Sequence, residues 1–435
     1  MKLRLIFAFF LLAVLFTLIF LPSVTEFIFD LFIPTSHHEA LHFTFDDKRG
    51  DDIVGVWIAS VSNIDFPSSP AKDEQELKNE LDNIVEYCSA LGVNTIFFQV
   101  RPTSDALYIS EIFPLSVFLT GGEQRMATSE DFDALAYIIE QSHKKGIALH
   151  AWVNPMRISS GTKEIPHHDL SALCDEHPAV RFPEYVVKSS NGCMYYDVGI
   201  PEVRELITDG VRELVYNYDI DGVIFDDYFY PYDNASFDDS SSYEKYGNGL
   251  SLGDFRRESV SALIGMCSTS IKESGKNILF GISPFGVWKN DTDDEKGSHT
   301  NALSAYSSLY YDALDFAKKG YVDYIAPQLY WTNDNANAPY DVLCEWWSDM
   351  LADADTAFLV AHAAHKYAQW ESPVGVLLDQ YEQASKKANY RGSIFFGFEQ
   401  IKNNLHGASD EIMKIAEKSE PKKVQDTEDL QEKGN

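Results

Sequence analysis

Asp221-Gly222-Val223-Ile224-Phe225-Asp226-Asp227-Tyr228-Phe229-Tyr230-Pro231 opens with an apolar, strand-forming run and then delivers two adjacent carboxylates and a group of aromatics. Where a strand ends on such groups, the two ends of the fold have different jobs. Paired carboxyl groups protonate a leaving oxygen and stabilise an oxocarbenium-like centre in glycoside hydrolysis, and aromatic faces offer flat apolar surface to sugar rings. The structural alternative is a pair of turn or helix-capping aspartates after a buried strand.

Working outward, seven more runs of the same kind recur: Val54–Ser60, Thr95–Arg101, Ala148–Pro155, Leu279–Gly286, Tyr324–Trp331, Phe358–Lys366 and Gly392–Gln400, with Asp221–Phe229 as the fourth of eight. Amphipathic stretches such as Glu74–Ala90, Pro201–Tyr218 and Phe255–Ser274 separate them. Strands alternating with helices pair in parallel through right-handed crossovers. Eight such units predict an α/β fold, a (β/α)₈ barrel of the TIM type over residues 51–402, with chemistry at the C-terminal ends of its strands. Glycines before the strands, in Lys145-Gly146-Ile147 and Lys319-Gly320-Tyr321, fit helix C-caps at the opposite end.

The strand ends supply the candidate site. Gln99, Arg101 and Asp105 follow the second run, His150, Trp152, Asn154 and Arg157 the third, and Asp226, Asp227 and Tyr228 the fourth. Ser283 lies on the fifth, Gln328, Tyr330 and Trp331 on the sixth, His362 and Lys366 on the seventh, and Glu399 on the eighth. His150, Trp152 and Asn154 alternate and so share a face. By the same alternation, Asp226 and Asp227 both reach the barrel mouth only if the strand has already ended. Glu399 is a candidate partner acid, with a capping or solvent role as its alternative; Asp105 is either a further acid or a structural ion-pair partner of Arg101.

Residues Leu5 to Thr25 carry no charge and follow Lys2 and Arg4, which predicts an exported chain held by an N-terminal membrane segment over residues 1–33, with residues 34–50 as a linker. Bulky residues before Pro22 favour an uncleaved anchor over a cleaved signal. Residues 403–435 read as a terminal helix and a charged, disordered tail. A net charge of −32 excludes nucleic acid as a partner bound through a broad basic surface. The five cysteines show no metal-binding spacing, although Cys174 and Cys193 could pair across a loop. His362 and His365 face opposite sides of a strand; neither a metal nor a cofactor is expected.

Six segments in unbroken order are distinctive: Gly55-Val56-Trp57-Ile58; Phe98-Gln99-Val100-Arg101-Pro102-Thr103-Ser104-Asp105; His150-Ala151-Trp152-Val153-Asn154-Pro155; the Asp221–Pro231 stretch; Gly281-Ile282-Ser283-Pro284-Phe285-Gly286; and Ala326-Pro327-Gln328-Leu329-Tyr330-Trp331. In these the chain resembles the bacterial family 10 glycosyl-hydrolase-like proteins. The resemblance implies a barrel glycosidase of the cell envelope, with peptidoglycan strands stripped of their peptides as polysaccharide substrate. Asp221-Gly222-x-x-x-Asp226 also resembles the fourth strand of α-amylase-type barrels, which implies Asp226 as nucleophile. A chitinase-like pattern is broken, because Ile224 and Tyr228 stand where two of its acids belong. Arg101, Arg157 and Lys366 are expected to meet the lactyl carboxylate of muramic acid. The alternatives are a non-catalytic glycan-binding envelope protein and a hydrolase of another polysaccharide such as an α-glucan.

Overall fold

A computed structural model describes residues 52–419, apart from 123, 161–168, 191 and 233–236. The expected membrane segment, the linker and residues 420–435 lie outside the described residues. Among the described residues no helix is long and apolar enough to cross a membrane.

Eight parallel strands close into one barrel: β1 (Ile53–Ile58), β2 (Thr95–Arg101), β3 (Ala148–Val153), β4 (Gly222–Phe225), β5 (Leu279–Ile282), β6 (Tyr324–Ile325), β7 (Ala357–Ala363) and β8 (Tyr390–Phe396). Each pairs with its neighbours in sequence, and β8 returns to pair with β1. This is the TIM-type architecture. Several strands are shorter than the apolar runs suggested: β4 stops at Phe225 and β6 at Ile325, where the chain leaves the sheet and turns into loop.

Local chemistry explains the connections. The helix Glu74–Ala90 starts with a capping box, in which Asp73 accepts from the Glu76 amide and the Glu76 carboxylate accepts from the Asp73 amide. Pro201 opens the helix Pro201–Asn217, where its missing N–H costs nothing. The final described helix, Ala408–Ser419, buries Ile412 and Ile415. No disulfide joins Cys174 to Cys193.

The barrel interior is packed, with large rings set against glycines. A side chain at Gly55 would meet the Phe97 ring at 2.5 Å, one at Gly222 the His150 imidazole at 2.4 Å, and one at Gly281 the Tyr324 ring at 2.0 Å. Phe97, His150 and Tyr324 therefore plug the lower barrel, and Trp57, Trp152 and Ile224 continue the apolar fill. Above this plug the interior opens.

Candidate active site

The cavity at the C-terminal end of the strands has a volume of about 360 Å³. Asp226 and Asp227 both line it, since β4 ends at Phe225 and strand alternation no longer applies to them. Both are nearly inaccessible, 4% and 1% exposed.

Their surroundings differ. Asp226 Oδ2 accepts from Trp152 Nε1 at 3.0 Å and Asn154 Nδ2 at 2.5 Å, while Oδ1 accepts from the Tyr228 amide at 3.1 Å. Asn154 is itself oriented, because its Oδ1 accepts from Gln99 Nε2 (2.7 Å) and Arg157 Nη2 (3.0 Å). Gln99 Oε1 in turn accepts from the amides of Ser60 and Val61. A chain of amides thus runs from the segment just after β1 to Asp226, and each link fixes the next. Asp227 Oδ1 accepts from Gln328 Nε2 at 2.9 Å, and its Oδ2 accepts from the Tyr232 hydroxyl. Burial raises the pKa of Asp226 against the opposing pull of Arg157. Burial, and then the charge of Asp226, push Asp227 up to about 7. Burial thus works against the charge of both neighbouring carboxyls, and Asp227 keeps its proton to near neutrality, as a proton donor in acid-assisted bond cleavage must.

Arg157 is committed to this scaffold. Its Nε donates to Pro102 O at 2.8 Å and its guanidinium lies 5.1 Å from the Tyr228 ring centre. Lys366 lines the opposite part of the cavity and makes no ion pair among the described residues. Tyr330 stacks on Phe396 at 6.3 Å and 16°, and Trp331 meets Phe285 edge-on. Ile64, Tyr228 and Tyr232 are exposed at the rim. Of the aromatics after the acids, Phe229 and Tyr230 are instead fully buried. Arg256 pins that segment from below: it clamps Asp239 through two hydrogen bonds and lies over Tyr230 and Tyr310.

The structure brings Gln99, Trp152, Arg157, Asp226, Asp227, Tyr228, Gln328, Tyr330, Trp331 and Lys366 to the cavity, with Asn154 directly behind Asp226. It places six other candidates elsewhere. The pairing of β2 with β3 slips between Gln99 and Arg101, which turns Arg101 outward onto the Phe113 ring, 4.5 Å from its centre, and under Gly210. Asp105 accepts from Thr103 Oγ1 and the Val117 amide and shapes the loop after β2. His150 lies two residues too deep, donating to or accepting from Tyr324 OH at 2.8 Å, and burial lowers its pKa to about 4. Ser283 Oγ donates to Ala326 O and serves the backbone. His362 points out of the barrel between Gln380 and Ser393. Glu399 is exposed in the first turn of the helix Phe398–Lys402, just past β8, and does not line the cavity.

Trp57, Tyr232, Phe285 and Phe396 line the cavity without having been singled out from sequence, and His365, which was expected on the seventh strand, lines it too. Trp57 and Phe396 were detectable, as inward residues at strand ends; the rest depend on loop paths. His365 sits in a 3₁₀ turn after β7, edge-on to Tyr330 and Phe396, and burial lowers its pKa to about 4.

A closed barrel whose mouth holds two buried carboxyls under aromatic walls defines a glycosidase-type protein. The glycosyl hydrolase-like 10 family model matches residues 52–372. The chain is 36% identical over 400 residues to Glycosyl hydrolase YngK of Bacillus subtilis, covering 90% of this chain and 76% of that one. It is 36% identical over 323 residues to Glycosyl hydrolase DigH of Escherichia coli K12, covering 72% and 73%. The chain belongs to the glycosyl hydrolase-like 10 family and is an enzyme of the glycosidase class. In fold it is similar to the glycoside hydrolase domain of PgaB from Bordetella bronchiseptica (TM-score 0.53, 12% identity, 84% of this chain and 98% of that one). An endo-β-1,4-mannanase from Thermotoga petrophila shares the fold at TM-score 0.51 and 11% identity, over 85% and 77% of the two chains.

Proposed function

We propose that this glycosidase cleaves bacterial cell-wall glycan, as peptide-free peptidoglycan strands, with Asp226 and Asp227 as its catalytic carboxyls. The observation that carries the assignment is their contrast within one cavity. Asp226, whose oxygens accept from three donors with the charge of Arg157 opposing the effect of burial, takes the role facing positive charge developing at the anomeric carbon. Asp227, protonated to about pH 7, supplies the proton to the leaving oxygen.

Two observations support the substrate. Aromatic walls suit pyranose faces, and Lys366 offers a cation to the lactyl carboxylate of muramic acid in a chain of net charge −32. An envelope substrate also agrees with Lys2 and Arg4 preceding an uncharged stretch, which we read as a membrane anchor with the barrel outside the cytoplasm.

Purified peptide-free strands incubated with the enzyme are expected to yield short saccharides, identified by mass spectrometry. Asp226→Asn should still bind the strands without cutting them. Cleavage of an α-glucan but not of wall glycan, or binding of wall glycan with no cleavage by the unaltered enzyme, would overturn the reading.

A further inference from the structure

The two carboxyls come from one loop, Asp226 turned towards Trp152 and Asn154 and Asp227 towards Gln328 and Tyr232. Asp226 and Asp227 are consecutive residues of one loop, their Cα atoms about 3.8 Å apart, beyond the end of a single strand. In the usual retaining and inverting arrangements two carboxyls flank the scissile bond, about 5–5.5 Å apart or about 6.5–9.5 Å apart, and approach the sugar from different faces. A pair delivered by one loop suits a different geometry, in which one carboxyl serves the leaving oxygen and its neighbour serves a substituent on the adjacent carbon of the same ring.

Asp226 fits the second task. Three donors occupy its oxygens, two on Oδ2 and one on Oδ1, so the lone pair left on Oδ1 can accept one more N–H. With three of its acceptor positions already occupied, this carboxyl has little left with which to attack C1 itself. Trp152, which donates to Asp226, packs edge-on against Trp57 at 4.8 Å, and with Ala59 these rings make an apolar recess beside the carboxylate. A polar acceptor next to an apolar recess is the shape of an N-acetyl group, its N–H on Asp226 and its methyl on the tryptophans.

Resting on the assignment of Asp226 and Asp227 as the catalytic pair, we propose that the cleaved sugar is a 2-acetamido sugar whose own amide oxygen is the nucleophile. The amide oxygen forms a bond to C1 as the C1–O bond to the leaving sugar breaks. The Asp227 proton passes to that departing oxygen, and Asp226 balances the charge of the cyclic oxazolinium. Water then adds to C1 as the bond from C1 to the former amide oxygen breaks, and its proton returns to Asp227. The acetamido group is regenerated and water is the only co-reactant. The absence of a chitinase-type acid at Ile224 and Tyr228 is no obstacle: because β4 has ended, adjacent residues can do what alternate residues do on a continuing strand.

The test is made on the enzyme with wall glycan strands and, separately, with N-acetylglucosamine oligomers. The configuration of the first-formed product is followed by NMR, and the N-acetylglucosamine-derived thiazoline serves as an oxazolinium mimic. Retained configuration, competitive inhibition by the thiazoline and a loss of turnover of 100-fold or more on de-N-acetylated strands are expected. Inversion, unchanged turnover on de-N-acetylated strands, or a trapped glycosyl ester on Asp226 would overturn the inference and leave the proposed substrate standing. Retaining, thiazoline-sensitive cleavage of the oligomers with no action on wall strands would do the reverse. Inactivity on both would sink both.

Discussion

Asp221 and Asp226 stand at opposite ends of the same four-residue strand and do opposite things. At the entrance, Asp221 Oδ2 accepts from the Leu149 amide at 2.7 Å and from His143 Nε2 at 2.9 Å. Its backbone bonds both neighbouring strands, from its amide to Leu149 O and from the Leu279 amide to its carbonyl. Asp323 and Asn94 repeat the device, accepting from the amides of Phe280 and Val54. Entrance acids and amides hold strands in register. At the exit, the partners of Asp226 and Asp227 are mostly side chains, the groups face a cavity, and burial works against their charge. An acid bonded across to strand backbones is part of the ladder; one held by side chains over open space is free for chemistry.

The contrast can be broken most severely by exchanging effects between the two ends. Asp226→Asn and Asp227→Asn should each lower turnover by at least about 10² to 10⁴-fold, with the circular dichroism spectrum unchanged. Asp221→Asn should leave turnover within a few-fold but cost about 1–3 kcal/mol of stability, because the negative charge that pairs with His143 is lost from a bond accepted at a part-buried site. His143 sharpens the second half. Its pKa is raised by the bond to Asp221, so its contribution is complete below its unfolded value and is lost as pH rises through the folded one. The penalty of Asp221→Asn in denaturant titrations should therefore shrink with rising pH. A large activity loss in Asp221→Asn, or a mild one in Asp226→Asn, would dissolve the distinction.

How far the sequence carried this contrast depends on what each residue answers to. Strand and helix alternation is local, and it located all eight strands and the adjacent acids. Orientation at strand ends is not local. Arg101 should share the inward face with Phe97 and Gln99, yet a register slip against β3 turns it around. His362 shows a parity that was there to be counted: Leu359 is inside the barrel and Phe358 and Val360 are outside, so an even-numbered neighbour on β7 faces the helices. Depth was harder still, since His150 is inward but lies beneath the mouth, where Gly222 makes room for its ring. Tyr232, Phe285 and His365 reach the cavity along loops, whose paths are set by packing and leave no period in the sequence.

A smaller effect tests whether burial of the exit acids is a cost to the fold. Asp227 has its pKa raised to about 7, so the folded chain retains a proton that the unfolded chain, at about 3.9, has released. Stability contributed by that proton is complete below the unfolded value and is lost as pH rises through the folded one. Asp227→Asn removes the dependence. The variant should match the wild type near pH 4 and exceed it by up to about 4 kcal/mol at pH 8, read as a difference in denaturant midpoint. A variant less stable than the wild type at pH 8 would mean that the bonds to Gln328 and Tyr232 outweigh the burial.

The same distinction applies to the two cations of the mouth, with the smallest expected effect. Arg157 behaves like Asp221: its donors are used on Pro102 O and Asn154 Oδ1, and its charge acts on Asp226. Lys366 behaves like the exit acids, lining the cavity without an ion pair among the described residues. If Lys366 reads a substrate carboxylate, Lys366→Ala should weaken binding of muramic-acid strands by about 1 kcal/mol, since a half-exposed charge pair is screened by water, and leave N-acetylglucosamine oligomers unaffected. Arg157→Ala should instead lower turnover of both, because it disturbs the orientation of Asn154 and the charge balance at Asp226 before any sugar is recognised. Calorimetric titration of each variant with both saccharides separates these outcomes. Equal weakening of the two ligands by Lys366→Ala would make that lysine, like Arg157, part of the scaffold.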